Sequence, residues 1–379
     1  MPTEPSPLRV LLVAARYLPS MGGVETHIYE VGRRLAQAGV EVTVLATDVS
    51  GRLPAVEESE GIRIRRVRAW PANKDYYFAP GIYRVITRGR WDLVHCQGYH
   101  NLVPPLAMLA AWRANMPFIL TFHSGGDVSR LRKALRGLHW TMLHPLLSRA
   151  RKLIVVSEFE AGFFHERLRL PAERFMVIPN GAYLPEVMDP PGGTTGEVED
   201  APLIVSVGRL ERYKGHQRVL AALPKVLELI PDARVCIVGA GPYESTLQKL
   251  ARRLGIAEHV KIQSVPPGDR GGMAALIARA DLVTLLSEYE SQGLAVMEAL
   301  TLGRPVLVAG TSALQELADR GLARVVPLES APEEVATAVI SQLRQPLVPQ
   351  NVALPTWDAC AASLLALYQA IARRVPCAS

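Results

Sequence analysis

The sequence predicts an α/β protein built from two doubly wound, Rossmann-like domains. Three observations carry that expectation. The chain has 379 residues, more than one ordinary hydrophobic core supports. It opens with a strand, a glycine loop, a helix and a second strand. The same succession returns near residue 203. A βαβ unit of this kind implies a parallel sheet.

The first unit is read as follows. Residues 9–15, RVLLVAA, form a continuous apolar run, as a strand buried on both faces does. Pro19, Gly22 and Gly23 make a loop. Val24, Ile28, Val31 and Leu35 then lie on one face of a helix that stops at Gly39. Residues 40–47, VEVTVLAT, are the next strand. Further strands are expected at Leu93–Cys96, Pro117–Phe122 and Lys152–Val156.

In the second unit LIVSV, from residue 203, is the opening strand and Gly208 to Gly215 the loop. Val219, Leu220, Leu223, Val226 and Leu227 form the helix stripe, and RVCIVG is the following strand. Strands are also expected at His259–Gln263, Leu282–Leu285, Pro305–Val308 and Ala323–Val326. Residues 179–202 are rich in Pro, Gly and acid, the composition of a linker. Residues 357–374 read as a final amphipathic helix.

Composition narrows the function classes. Hydrophobic content of 49% and charged content of 21% suit a globular protein. No apolar run reaches the ~18 residues of a membrane helix. The run from Val10 to Ala15 is too short for a secretory signal, so a cytoplasmic location is expected. Cys96, Cys236, Cys360 and Cys377 are scattered, which fits a reducing compartment and no zinc site. Residues 1–185 carry 24 Lys and Arg against 15 Asp and Glu, a net of +9; the remainder carries 18 against 21, a net of −3. The basic half could meet an anionic acceptor or, peripherally, the inner face of an anionic membrane. Ordinary solvated arginine is the alternative. Nucleic acid is not an expected partner.

The chemistry concentrates in SEYESQGLAVMEALTLGRP, residues 287–305. Glu290 and Glu298 stand either side of Gly293, and an apolar helical run follows the glycine. The first amides of a helix have no internal partner, and with the helix dipole they make an anion site suited to phosphate. Glu290 would lie in the loop beside that site, within reach of hydroxyls. Glu298 would lie on the helix, and a carboxylate accepts from the two hydroxyls of a ribose. Arg209 and Lys214 follow the first strand of the second domain, where α/β sheets bind ligands. Together they can neutralise a diphosphate. No Asp-x-Asp metal motif precedes the site, so no metal or other cofactor is expected.

Two glutamates with seven residues between them, followed by Ala299, Gly303 and Pro305, resemble the motif of the retaining GT-B glycosyltransferases of family four. SMGGVETHIYEVGRRLAQAGVEVTVLATD, TFHS (121–124), VVSEF (155–159), IPNG (178–181), VGRLERYKG (207–215), VGAGP (238–242) and the Trp357-led helix follow that family's order. The resemblance implies two Rossmann-like domains facing a cleft, 1–183 on the acceptor side and 184–356 on the nucleotide-sugar side. It also implies that 357–379 returns to the first domain.

The same resemblance implies a nucleotide diphosphate sugar as donor, UDP-sugar before GDP-mannose, and a hydroxyl acceptor. His123 would contact the donor sugar and Glu290 would orient its ring hydroxyls, with Ser291 and Gln292 beside them. Gly23, Arg209, Lys214, Gly293 and Leu294 would hold the diphosphate. Glu298 would hold the ribose, and Val265 would lie by the base. Gln292 stands where the family commonly has an aromatic residue, and Ser264 where it has a glycine.

Other readings stay open. An epimerase or hydrolase of sugar nucleotides, or a non-catalytic nucleotide-sugar-binding protein, would use the same scaffold. A dinucleotide dehydrogenase fits least, because Gly239-Ala-Gly241 lacks the third glycine and follows the second strand of its domain. His95, Cys96 and His100 imitate a metal cluster but favour packing. Arg130, Arg132, Lys133 and Arg136 read as a solvated helix face with acceptor or membrane phosphate as the alternative.

Overall fold

The computed structural model of the chain describes residues 6–20, 22–71, 77–123, 140–185, 201–266 and 268–373. Arg130, Arg132, Lys133 and Arg136, and most of the expected linker, lie outside those residues. The chain divides into two compact domains. One ends at Gly181 and resumes at Pro355; the other is Ala182–Leu354. Each junction falls two residues before the boundary read from the sequence.

Among the described residues the first domain holds eight strands. They are β1 (Arg9–Val13), β2 (Glu41–Asp48), β3 (Val56–Ser59), β4 (Ile62–Arg68), β5 (Leu93–Gln97), β6 (Phe118–Thr121), β7 (Leu153–Val155) and β8 (Phe175–Val177). Their order is β3-β4-β2-β1-β5-β6-β7-β8, parallel throughout except for the β3–β4 pair. The second domain holds β9 (Leu203–Val207), β10 (Arg234–Val238), β11 (Val260–Gln263), β12 (Leu282–Leu285), β13 (Val306–Gly310) and β14 (Arg324–Pro327). Their order is β11-β10-β9-β12-β13-β14, all parallel.

The apolar runs behave as expected. Val10 to Val13 of β1 are at most 1% exposed, covered on both faces. Three strands escaped the sequence reading. β4 reads IRIRRVR; Ile62 and Ile64 are buried while Arg63 is exposed and Arg65 half-buried, so charge hid a half-buried strand. β3 and β8 are partly exposed edge strands of four and three residues.

Strand order reverses beside the opening strand of each domain. From β1 the chain goes out to β2, then crosses to β5. From β9 it goes out to β10, then crosses to β12. Ligands of open α/β sheets bind at the carboxyl ends of strands at such a switch point. The loops after β1 and β5, and after β9 and β12, are therefore the places to look.

The last helix, Trp357–Ala372, belongs to the first domain, as expected. The Thr356 hydroxyl caps it by accepting from the Ala359 amide at 3.1 Å. Trp357, Cys360, Ala361, Leu364, Leu367, Tyr368 and Ile371 form its buried seam. Arg34 of helix Gly23–Gln37 pairs with Asp358 at 2.6 Å. The IPNG turn needs its glycine here: a Cβ on Gly181 would lie 2.1 Å from the Trp357 amide nitrogen.

Candidate active site

In the second domain the loops after β9 and β12 are pressed together. Gly215 has φ +78°, and a Cβ there would lie 1.9 Å from the Leu286 carbonyl oxygen. The Glu288 amide donates to the Tyr213 carbonyl at 2.7 Å. This contact brings Lys214 to Glu290. Lys214 Nζ donates to Glu290 Oε1 at 2.6 Å, and the Ser287 hydroxyl donates to the same oxygen at 2.7 Å. Burial alone would pull the Lys214 ammonium down; the Glu290 carboxylate, with Tyr213 beside it, outweighs that and holds the pKa above the usual value. The charge on Lys214 is thus maintained in a largely buried position.

Arg209 stands beside them with its guanidinium partly exposed. It donates to the Tyr213 hydroxyl at 2.6 Å and pairs with Glu211 at 2.8 Å. The Arg209 carbonyl receives a hydrogen bond from His216 Nε2 at 3.3 Å, while His216 Nδ1 accepts from the Ser206 hydroxyl at 2.8 Å. His216 is fully buried, and burial lowers its pKa to about 4. A neutral His216 therefore braces the loop that carries Arg209.

Gly293, in the left-handed region at φ +75°, caps helix Leu294–Thr301. The first intrahelical bonds come from Val296 and Met297, so the Gly293 and Leu294 amides precede the ladder. Glu298 lies on this helix, 9% exposed, with Oε1 paired to Arg270 Nη2 at 2.5 Å. Burial raises the Glu298 pKa and Arg270 only partly offsets it. Val265, after β11, packs partly buried against the domain core.

The first domain presents a different cluster. His123 follows β6 with φ +45°, a left-handed conformation for a non-glycine residue. Its Nε2 donates to Gln97 Oε1 at 2.7 Å. The ring of His27, from helix Gly23–Gln37, meets it edge-on with centroids 4.6 Å apart. His27 Nδ1 donates to Asn180 Oδ1 at 2.7 Å. Burial lowers His27 to about 4 and His123 well below the usual imidazole range. Gly23 is the exposed first residue of its helix, with Gly22 as cap.

The structure brings Lys214, Glu290, Ser291, Gly293 and Leu294 into one loop system with Arg209 nearby, and puts Gly23 and His123 after β1 and β6 of the other domain. Three readings change. Lys214 and Glu290 are partners, not independent ligands. Glu298 is not a lone ribose acceptor; Arg270 shares it. Gln292 is 7% exposed and its amide donates to the Met297 sulfur at 3.7 Å, so the side chain is buried in its own domain.

Gly239 and Gly241 are explained by loop packing: Cβ atoms there would lie 1.9 Å from Gly208 O and 2.5 Å from Leu210 O. His95 is used in packing, with Nδ1 and the Tyr368 hydroxyl 2.6 Å apart and Nε2 and the Thr121 hydroxyl 2.7 Å apart. Among the described residues no three His, Cys, Asp or Glu converge as a metal site.

Sequence reasoning missed Arg270, His216, Ser287 and Ser312. Ser312 accepts the Glu290 amide at 2.8 Å and so clasps the acidic loop. The available signal was weak: Ser287 lies inside the glutamate motif and His216 directly follows Gly215. Nothing local marks Arg270, 28 residues before Glu298.

Residues 21–184 match the family model described as Glycosyltransferase Family 4, and residues 194–353 that described as Glycosyl transferases group 1. A D-inositol 3-phosphate glycosyltransferase of Mycobacteroides abscessus is 30% identical, over 92% of this chain and 84% of its own. D-inositol 3-phosphate glycosyltransferase 2 of Catenulispora acidiphila is 28% identical, over 90% and 88%. Among solved structures, sucrose-phosphate synthase from Thermosynechococcus elongatus superimposes with TM-score 0.72 at 20% identity, covering 97% of each chain.

Proposed function

We propose, from the premise that this chain belongs to glycosyltransferase family 4 and is a GT-B enzyme transferring sugar from a nucleotide sugar, that it is a retaining, metal-independent transferase acting on a hydroxyl acceptor. The observation that carries the reading is the joined loop system after β9 and β12. It offers two cations, Arg209 and Lys214, beside a helix N-terminus at Gly293, with a carboxylate locked to one of the cations. A departing diphosphate needs preorganised positive charge and amide donors, and these residues supply both without a metal.

In this proposal Arg209, Lys214, Gly293, Leu294 and Gly23 bind the diphosphate. Glu290 keeps Lys214 oriented and accepts from the donor sugar, whose other contacts are His123 and Ser291. Glu298, held by Arg270, accepts from the ribose. Val265 lies by the base. Retention follows if the acceptor attacks the face from which the nucleotide diphosphate leaves, with a leaving phosphate oxygen taking the acceptor proton. UDP-sugar is the first donor to test and GDP-mannose the second. D-inositol 3-phosphate, named in the relatives' activity, heads the acceptors, because a net charge of +9 over residues 1–185 suits an anionic polyol.

The test is a screen of donors against acceptors with mass detection of released nucleotide, in buffer containing a chelator. The anomeric configuration of the product is read by NMR. Retained configuration with activity undiminished by chelator is expected. Inversion, or an absolute metal requirement, would overturn the mechanism. Nucleotide release that needs no acceptor would favour a hydrolase.

A further inference from the structure

The geometry points to Gln97 as a positioning residue that locks His123 in one tautomer, so that His123 Nδ1 is offered to a substrate hydroxyl as a hydrogen-bond acceptor. This rests on the reading of His123 as a donor-sugar contact.

Gln97 is the last residue of β5, the strand next to β1 at the switch point, and is 4% exposed. In the β5–β6 register it lies opposite Thr121, two residues before His123. The Gly98 amide donates to the Thr121 carbonyl at 2.7 Å and ties the two strand ends together. Gln97 Oε1 is a carbonyl oxygen and can only accept, so the 2.7 Å contact requires the proton to sit on His123 Nε2. In a neutral ring Nδ1 is then an acceptor. The φ of +45° at His123 costs backbone strain, of a kind concentrated at functional sites.

The surroundings keep the ring neutral. The titratable groups bearing on His123 among the described residues are His27 from helix Gly23–Gln37, His95 from β5 and His100 from the loop after β5. All are histidines, and a positive charge on any of them disfavours one on His123. His27 donates through Nδ1 to Asn180, and its Nε2 is buried without a partner among the described residues. His27 therefore offers the neighbouring ring no proton. A charged His123 would present N–H from both nitrogens and reverse the polarity of the group facing the hydroxyl. A hydroxyl that donates to Nδ1 keeps its oxygen lone pairs turned elsewhere, which fixes one rotor of the bound sugar.

The test begins on the native protein, labelled with 15N-histidine, with His123→Asn to assign the resonances. Long-range proton–nitrogen spectra are expected to show His123 as the Nε2–H tautomer from pH 5.5 to 8. Gln97→Glu then places a carboxylate against Nε2–H and favours the imidazolium. Its kcat/KM for donor should become pH-dependent, about tenfold lower at pH 6 than at pH 8 relative to the native profile. An Nδ1–H tautomer or a charged ring in the native protein would overturn the proposal. So would superimposable pH profiles for native enzyme and variant. Full transfer activity in His123→Ala would instead remove the functional reading of His123, and the tautomer would still be decided by the spectrum.

Discussion

The two domains share one strand-loop-helix grammar, yet the polar groups at the carboxyl ends of their sheets differ in balance. The second domain uses ion pairs: Lys214 with Glu290, Arg209 with Glu211, Arg270 with Glu298. The first relies mainly on neutral rings and amides, His123 with Gln97, His27 with Asn180, His95 with Tyr368 and Thr121, beside one looser ion pair, Arg16 with Glu25 at 3.7 Å. The difference follows from what each would meet. A diphosphate needs compensating charge, and cations that would meet it must be held oriented, with the largely buried Lys214 also kept charged by its partner. Hydroxyls need directional donors and acceptors, which neutral groups give without the desolvation cost of an ion.

The sharpest way to break this comparison is to remove the charge. Lys214→Ala or Arg209→Ala should lower turnover by about 10²–10³. Because Lys214 holds Glu290 at 2.6 Å, the double variant Lys214→Ala/Glu290→Ala should cost clearly less than the two single losses combined. Steady-state kinetics on the four proteins would measure this. Additive losses would mean that the pair does not act as a unit.

Acid should separate the domains next. Burial holds His27 and His216 at about 4, and His95 and His123 well below the usual 6.5. Folding depresses these pKa values, so the folded state binds fewer protons than the unfolded chain. The associated stability is fully present above pH 6.5 and is lost progressively as pH falls below it, down to about 4 for His27 and His216, at up to ~1.4 kcal/mol per pH unit for each group. Three of the four lie in the first domain and one in the second. Hydrogen exchange followed by mass spectrometry from pH 7 to 4 should therefore show the first domain opening first. Earlier opening of the second would contradict the neutral-ring account.

The smallest effect is expected at Glu298. Glu298→Gln turns one acceptor oxygen into a donor and weakens the Arg270 pair, so nucleotide affinity should drop about tenfold. Equal affinity of the native enzyme for ribo and 2′-deoxy donors, measured by calorimetry, would detach Glu298 from the ribose.

Much of this was legible in advance because it is local. Continuous apolar runs mark β1 and β9, and helical spacing marks helix Gly23–Gln37, since burial on both faces of a parallel sheet leaves little choice of residue. Gly293 before an apolar helix marks the left-handed cap of that helix for the same kind of reason. β4 was missed because Arg63, Arg65 and Arg66 interrupt the pattern that Ile62 and Ile64 alone would give. Gln292, read as a ligand from its place in the motif, is buried in its own domain.

By itself, then, the sequence determined the two α/β domains, the glutamate loop and the candidate cations, each of which depends on neighbours within a few residues. Only the tertiary structure decided who partners whom. Lys214 meets Glu290 from 76 positions away, His123 meets Gln97 across 26, and His27 meets Asn180 across 153. A side chain's charge state, tautomer and direction are set by whichever groups packing brings within hydrogen-bond distance, and sheet order determines that without leaving a trace in local spacing.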